Sequence, residues 1–384
     1  MKPLILAAFL LCAPLAFAQS QVPSVSLGWS IDTTASPTRE IVATVTDYLR
    51  LPSPGRTPTD VWAADEQGQG NDAYDPTAWF VYIGYPATIV QITPTWEATE
   101  AYVVKILYAN ADSAGIVRPI ALQRFYASEE DGRWVLRSAL PILTRDWLTV
   151  DVGRITYHRA PGASFDSVRA QRAARFVDSV AAFVGVPPPV RLEYYLTESV
   201  DEMYRIVGLD WFVQQSGPGT GRGARTLGNR TILCGNPEFG EAYVHEIAHL
   251  VLLPTKGPTG PHRLIVEGAA TWFGGSTGHS LDELLTEIVA FQEKNPEFRF
   301  EDLNGGVLPD REGERLWNGT GALVVDAVYR KGGQRALRSL LAVGPTDDDL
   351  RRRLRELLGE KTADFDAWWR SEARETLTIH SHAR

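Results

Sequence analysis

The stretch 242-AYVHEIAHL-250 decides how this chain is read. On an α-helix, residues four apart share a face, so His245 and His249 point the same way and can hold one ion between them. Val244, Ile247, Ala248 and Val251 supply an apolar stripe around the pair, which marks the helix as buried. Glu246 stands one position round, where its carboxylate reaches a metal-bound water rather than the metal. An unpartnered His–Glu–His cluster among aliphatic side chains would be costly, and a shared cation removes that cost.

A tetrahedral catalytic zinc takes three protein ligands and leaves one position open. The third ligand is expected from a second helix nearby. Glu267 is the only acid in 263-RLIVEGAATWF-273, an apolar segment that follows the Gly/Pro-rich connector 254-PTKGPTGPH-262. A carboxylate there could also serve the free N–H groups of a helix start. His262, inside the connector, is the rival ligand.

The pattern His245-Glu246-x-x-His249, followed by Glu267-Gly268-x-Ala270, resembles the gluzincin branch of zinc metallopeptidases, and specifically its peptidase-MA-like domains. The likeness runs over about residues 151 to 378. It includes a strand before the metal helix, the small-residue segment 318-NGTGALVVDAVYRKGGQRALRSLL-341 and a closing 365-FDAWW-369. The resemblance implies a mostly helical, zincin-like (thermolysin-like) domain with a short sheet. It also implies one zinc per chain on His245, His249 and Glu267, with Glu246 as general base for hydrolysis of a peptide or protein substrate. One position departs from the pattern. Gluzincins place a tyrosine on the helix after the ligand glutamate to stabilise the oxyanion, and Trp317 stands about there in this chain. Tyr243, Tyr329, His262 and Arg263 are the candidates to replace it. The departure motivates an alternative: a zinc-stabilised, catalytically weak or inactive domain that binds peptides or envelope components.

Outside this region the chain reads more plainly. Its opening, 1-MKPLILAAFLLCAPLAFAQS-20, has one lysine, an apolar run and small residues before Gln19. That is the pattern of a secretory leader cleaved after Ala18, and it implies export to the periplasm or the extracellular space. Removing the leader removes Cys12 and leaves Cys234 alone, so stability must come from core burial rather than a disulfide. No later segment is apolar for long enough to span a bilayer. The formal charge of −9 argues against nucleic acid as a partner. The sequence leaves the oligomeric state open.

Residues 19 to 150 read as a small α+β domain. The helical 39-REIVATVTDYLRL-51 precedes the loop 52-PSPGRTPTD-60 and then the strand-like runs 79-WFVYIGY-85, 87-ATIVQITPTW-96, 101-AYVVKILYA-109 and 119-PIALQRFYA-127. Asp131-Gly132 is expected to make a hairpin turn. One helix on a curved antiparallel sheet resembles the nuclear-transport-factor-2-like or cystatin-like architecture. Residues 151 to 384 then form the gluzincin-like domain. In it, Ser164 is expected to cap a long helix ending on Gly185, and Val190, Leu192, Tyr194 and Leu196 to alternate onto one strand face. The glycine-rich 217-GPGTGRGARTLGNRTILC-234 lacks the Gly-Lys-Ser/Thr ending of a phosphate loop. It reads as a rim leading into an edge strand, 229-NRTILC-234, the kind of edge on which the resembled family seats extended substrate.

Overall fold

The computed structural model describes residues 25–50, 61–66, 85–98, 100–213, 223–255, 260–304 and 310–382. The leader, the 52–60 loop, nearly all of the 79–85 run and the start of the glycine-rich segment lie outside them. In chain order the elements are β1 (Val25–Leu27), α1 (Thr38–Arg50), β2 (Ala87–Thr95), β3 (Ala101–Ala111), β4 (Val117–Glu130), β5 (Arg133–Arg137), α2 (Ala139–Leu143), β6 (Leu148–Val152) and β7 (Ile155–Arg159). Then follow α3 (Ser167–Val184), β8 (Leu192–Leu196), α4 (Val200–Ile206), β9 (Leu209–Phe212), β10 (Ala224–Leu227) and β11 (Thr231–Cys234). The rest is helix: α5 (Val244–Val251), α6 (Arg263–Gly274), α7 (Leu281–Lys294), α8 (Phe300–Asn304), α9 (Asp310–Leu341), α10 (Asp347–Leu358) and α11 (Phe365–His382).

The fold is α+β, with two sheets. The first runs β1-β2-β3-β4-β5, antiparallel apart from the parallel pair β1–β2. Asp131 and Gly132 both take positive φ and close the β4–β5 hairpin, as the sequence predicts. Ile41, Val45, Tyr48 and Leu49 of α1 pack on this sheet with Ile89, Ile106, Phe125 and Leu136. The second sheet runs β10-β11-β8-β7-β6, parallel at its centre and antiparallel at both edges.

The second sheet is buried on both faces. Leu192, Tyr194, Leu196, Ile232 and Cys234 face the helical core with α3, α5 and α6, while Tyr195 and Leu233 face the core of the first sheet. Val190, expected on the same face as Leu192, lies before the strand and is 91% exposed. The cap of α3 also differs from expectation. Asp166, not Ser164, accepts the N–H groups of Val168 and Arg169, because a carboxylate two residues closer outcompetes the hydroxyl.

The chain passes from the first sheet to the second near residue 150, at β6, but neither the sheets nor the cores divide cleanly there. Strand β9 returns to the first sheet and pairs with β4 over Ala121–Gln123. Met203, Tyr204, Ile206, Val207, Leu209 and Phe212 join that core. Asp210 fastens the junction: Lys105 Nζ lies 2.8 Å from its Oδ2, and Arg124 Nη2 lies 2.6 Å from its Oδ1. All three side chains are largely buried.

Two outcomes follow from these contacts. Asp210→Ala strands two largely buried cations, although Arg124 keeps Glu97 at 3.6 Å. It should cost about 3 kcal/mol, the low end for breaking a buried pair, read from urea unfolding. Glu66 is buried, accepts the Ser138 N–H at 2.9 Å, and has its pKa pushed up to about 7, chiefly by desolvation. From its ordinary value of 4.5 up to about 7 the native state holds a proton that the unfolded chain has lost, so this group's contribution to stability falls as pH rises through that window. Glu66→Gln removes the slope. Relative to wild type, the variant should gain stability between pH 4 and 7.5 in parallel denaturant titrations.

Candidate metal centre

Two helices build the site. α5 carries His245, Glu246 and His249, and α6 crosses it carrying Glu267. The crossing depends on missing side chains. A Cβ on Gly268 would sit 2.2 Å from the backbone of Gly321 on α9, and one on Gly274 would sit 2.7 Å from the His245 nitrogen. With glycine at these positions α6 lies backbone-to-backbone on α9 and against the start of α5. Glu267 is then aimed across at the histidines.

The donor atoms converge. His245 Nε2 and His249 Nε2 are 3.2 Å apart, and Glu267 Oε2 lies 3.5 Å from the first and 3.4 Å from the second. A tetrahedral zinc with arms of about 2.0–2.1 Å holds its ligand atoms roughly 3.3–3.4 Å apart. The triangle therefore fits the ion. Among the described residues these three side chains form the one cluster of metal-ligating groups.

The tautomer fits as well. His245 Nδ1 lies 2.8 Å from the carbonyl oxygen of Gly275, which can only accept, so Nδ1 carries the proton and Nε2 presents its lone pair inward. That carbonyl is itself fixed. Ser276 and His279 exchange backbone hydrogen bonds, and Asn318 Nδ2 donates to Ser276 Oγ at 2.9 Å. Burial disfavours a charged His245 ring, but Glu267 and Glu246 outweigh it and raise the pKa. Burial would likewise raise the Glu267 carboxyl, yet the two histidines hold it well below the usual carboxylate range. The pocket is thus arranged for positive charge facing an ionised carboxylate.

A cleft of about 520 Å³ opens over the triangle. Glu246 lines it beside the histidines, and Ala224, Arg225 and Thr226 of β10 form one wall. The edge strand at the cleft is therefore β10, whereas the predicted edge, 229-NRTILC-234, supplies β11 in the interior between β10 and β8. From α9, Glu314, Arg315 and Asn318 also line the cleft. Arg315 is held from behind, its Nε 2.7 Å from Glu287 Oε2.

The remaining sequence candidates fall elsewhere. His262 is not part of the triangle: it caps α6, accepting the Leu264 N–H on Nδ1, and its Nε2 lies 2.9 Å from Asp347. Trp317 does not line the cleft; its ring packs parallel to Phe300 at 6.4 Å. Tyr329 packs on Phe183 and Trp272, and Arg263 is exposed at the start of α6. Of the candidate donors only Tyr243 lines the cleft, with burial and then the nearby Glu246 raising its phenol pKa. Cys234 is buried with its thiol pushed up to about 11, which leaves it an unreactive core residue.

No protein-family model matches the sequence, and no curated protein does. Among solved structures, it is similar to an M1 zinc metallopeptidase from Deinococcus radiodurans at 16% identity and a TM-score of 0.28, covering 77% of this chain and 63% of that one. A mutant of M1 zinc metallopeptidase from the same organism, bound to a Tyr-Ser-Ala substrate, matches at 16% identity and a TM-score of 0.31, covering 74% and 64%. The chain spans a little under two thirds of the length of these structures. The likeness is loose, and the cleft is read on its own geometry.

The two rival third ligands can be told apart by metal content. Glu267→Ala should lose zinc on dialysis and lose stability only in the zinc-loaded form, because binding energy adds to folding energy. His262→Ala should keep its zinc and lower the unfolding midpoint of metal-free and loaded protein equally, as loss of a helix cap does. Elemental analysis and paired thermal scans read both.

Proposed function

We propose that the protein is a zinc-dependent peptidase of gluzincin type. The observation that carries this reading is the donor triangle of His245, His249 and Glu267, with Glu246 beside it in one open cleft. Zinc held there would supply Lewis acidity, bringing the pKa of water at its open position to about 7 and polarising the carbonyl to be attacked.

The chain's own residues do the rest. Glu246 takes the proton from the attacking water and returns one to the departing amine. The β10 edge offers its backbone N–H and C=O groups along the cleft, which suits an extended peptide laid down as a further strand. Arg315, fixed at Nε by Glu287, presents its remaining N–H donors from the α9 wall. We read the first 18 residues as a secretory leader, which places the activity in the periplasm or outside the cell.

A second reading, a zinc-stabilised peptide-binding protein without turnover, draws support from one observation. Trp317 packs on Phe300 and lies outside the cleft, so it does not supply the expected oxyanion donor.

Glu246→Gln separates the two readings. It keeps the side-chain size and should leave zinc content and folding unchanged, while lowering hydrolysis of an unstructured peptide pool by about 10²-fold or more. Wild type that holds zinc fully yet cleaves nothing would favour the binding protein. Equal, chelator-resistant cleavage by both proteins would mean the activity comes from elsewhere.

A further inference from the structure

Helix α5 carries three of the four site residues but spans only eight, Val244–Val251, and no side chain caps its start. A helix this short does not hold itself in water, so its position must be imposed from outside. The constraint lies in the turn just before it, Gly240–Ala242.

Two buried phenols grip that turn from the second sheet. The Tyr194 hydroxyl donates to the Gly240 carbonyl at 2.6 Å, and the Tyr157 hydroxyl donates to the Glu241 carbonyl at 2.9 Å. The Tyr243 N–H points back to the Tyr194 oxygen at 3.4 Å. Tyr157 and Tyr194 are register partners on β7 and β8, with ring centroids 5.1 Å apart and no exposed surface. From the other side, Arg169 of α3 donates to the carbonyls of Glu238 and Phe239 at 2.6 and 2.7 Å. The Glu241 carboxylate accepts the N–H of Asp166 at 2.7 Å.

Phenylalanine would fill the same core space as these tyrosines without a hydroxyl to satisfy. Burial pushes both phenols above their ordinary pKa, so they stay protonated and remain donors at any working pH. Their acceptors are carbonyls four and five residues before His245.

We infer that Tyr194 and Tyr157 are positioning residues for the metal centre: their hydroxyls fix the start of α5, and so place His245 and His249 against Glu267. The inference rests on the zinc reading. The sheet is the rigid body, the turn is the joint, and the phenols set its angle. Without them the turn before α5 keeps only its contacts with Arg169 and Asp166, and zinc must order more of the helix as it binds.

Tyr194→Phe and Tyr157→Phe, made separately in the full chain, test this. Zinc affinity is measured by competition with a chromophoric chelator, and thermal unfolding is followed with and without zinc. Each variant should bind zinc about 10-fold or more weaker, as loss of an outer-shell partner does. The stabilisation by zinc should shrink to match. Tyr108→Phe is the control, since its hydroxyl donates to Gln123 in the first sheet at 2.8 Å and should move both forms equally. If Tyr194→Phe fails to fold, Tyr157→Phe carries the test, its carbonyl lying one residue closer to the helix. Unchanged affinity in the variants, with equal loss of stability in both forms, would overturn the inference and leave the zinc reading standing. Wild type that takes up no zinc would sink the zinc reading itself.

Discussion

Everything at the site depends on bringing α6 against α5 closely enough for one carboxylate to meet two imidazoles. Helix axes separated by ordinary side chains lie 8–10 Å apart, and a glutamate does not reach both rings from an arbitrary crossing. Gly268 and Gly321 let α6 and α9 touch along their backbones, and Gly274 lets the end of α6 touch the start of α5. Any side chain at these points would move Glu267, and the three donors would no longer share an ion-sized gap. The glycine after Glu267 is therefore a packing requirement for bringing that carboxylate to the two imidazoles.

The second constraint is the shared sheet. Because the β8–β11 layer is buried on both faces, each side of the molecule stabilises the platform from which the other is built. Tyr194 faces the helical core that holds α5, while its neighbour Tyr195 faces the first sheet. Asp210, set between Lys105 and Arg124, closes the same junction from β9. A disturbance in the N-terminal region thus has a short path, through one strand, to the turn that precedes α5.

The convergence of His245, His249 and Glu267 was legible in the sequence because its signal is local: the i, i+4 spacing of His245 and His249 is fixed by helix geometry, and Glu267 stands out as the lone acid of an apolar helix. The Asp131-Gly132 turn was legible for the same reason, since the two residues carry their conformational preference with them. What sequence reading missed is set by tertiary contact. The return of β9 to the first sheet leaves no mark in four residues of alternating pattern. The edge strand was placed one strand late, because only pairing shows that Ala224–Leu227 and not Thr231–Cys234 is outermost. Trp317 looked like a cleft residue by its distance along the chain, yet α9 turns Glu314, Arg315 and Asn318 towards the cleft and Trp317 towards Phe300. Tyr194 reads as an ordinary alternating strand residue, and Tyr157 carries no signal of its own. Nothing in their spacing tells that their hydroxyls reach two carbonyls on another segment.

A common feature runs through the cleft: its polar groups are held from behind before anything enters. Gly275 holds His245, the Ser276 hydroxyl holds Asn318, and Glu287 holds Arg315. Each contact uses one donor or acceptor of the side chain and leaves the others for the cleft, so little conformational entropy remains to be lost when a ligand binds. Arg315 shows what this implies for recognition. Paired with Glu287, it brings directed N–H donors into the cleft while adding almost no net charge to that wall. Such a group favours a carbonyl or an oxygen that gains charge during reaction over a free carboxylate, because the carboxylate would also meet Glu246, Glu267 and Glu314, which line the cleft. The α9 side of the cleft thus suits a neutral acceptor better than an anionic one.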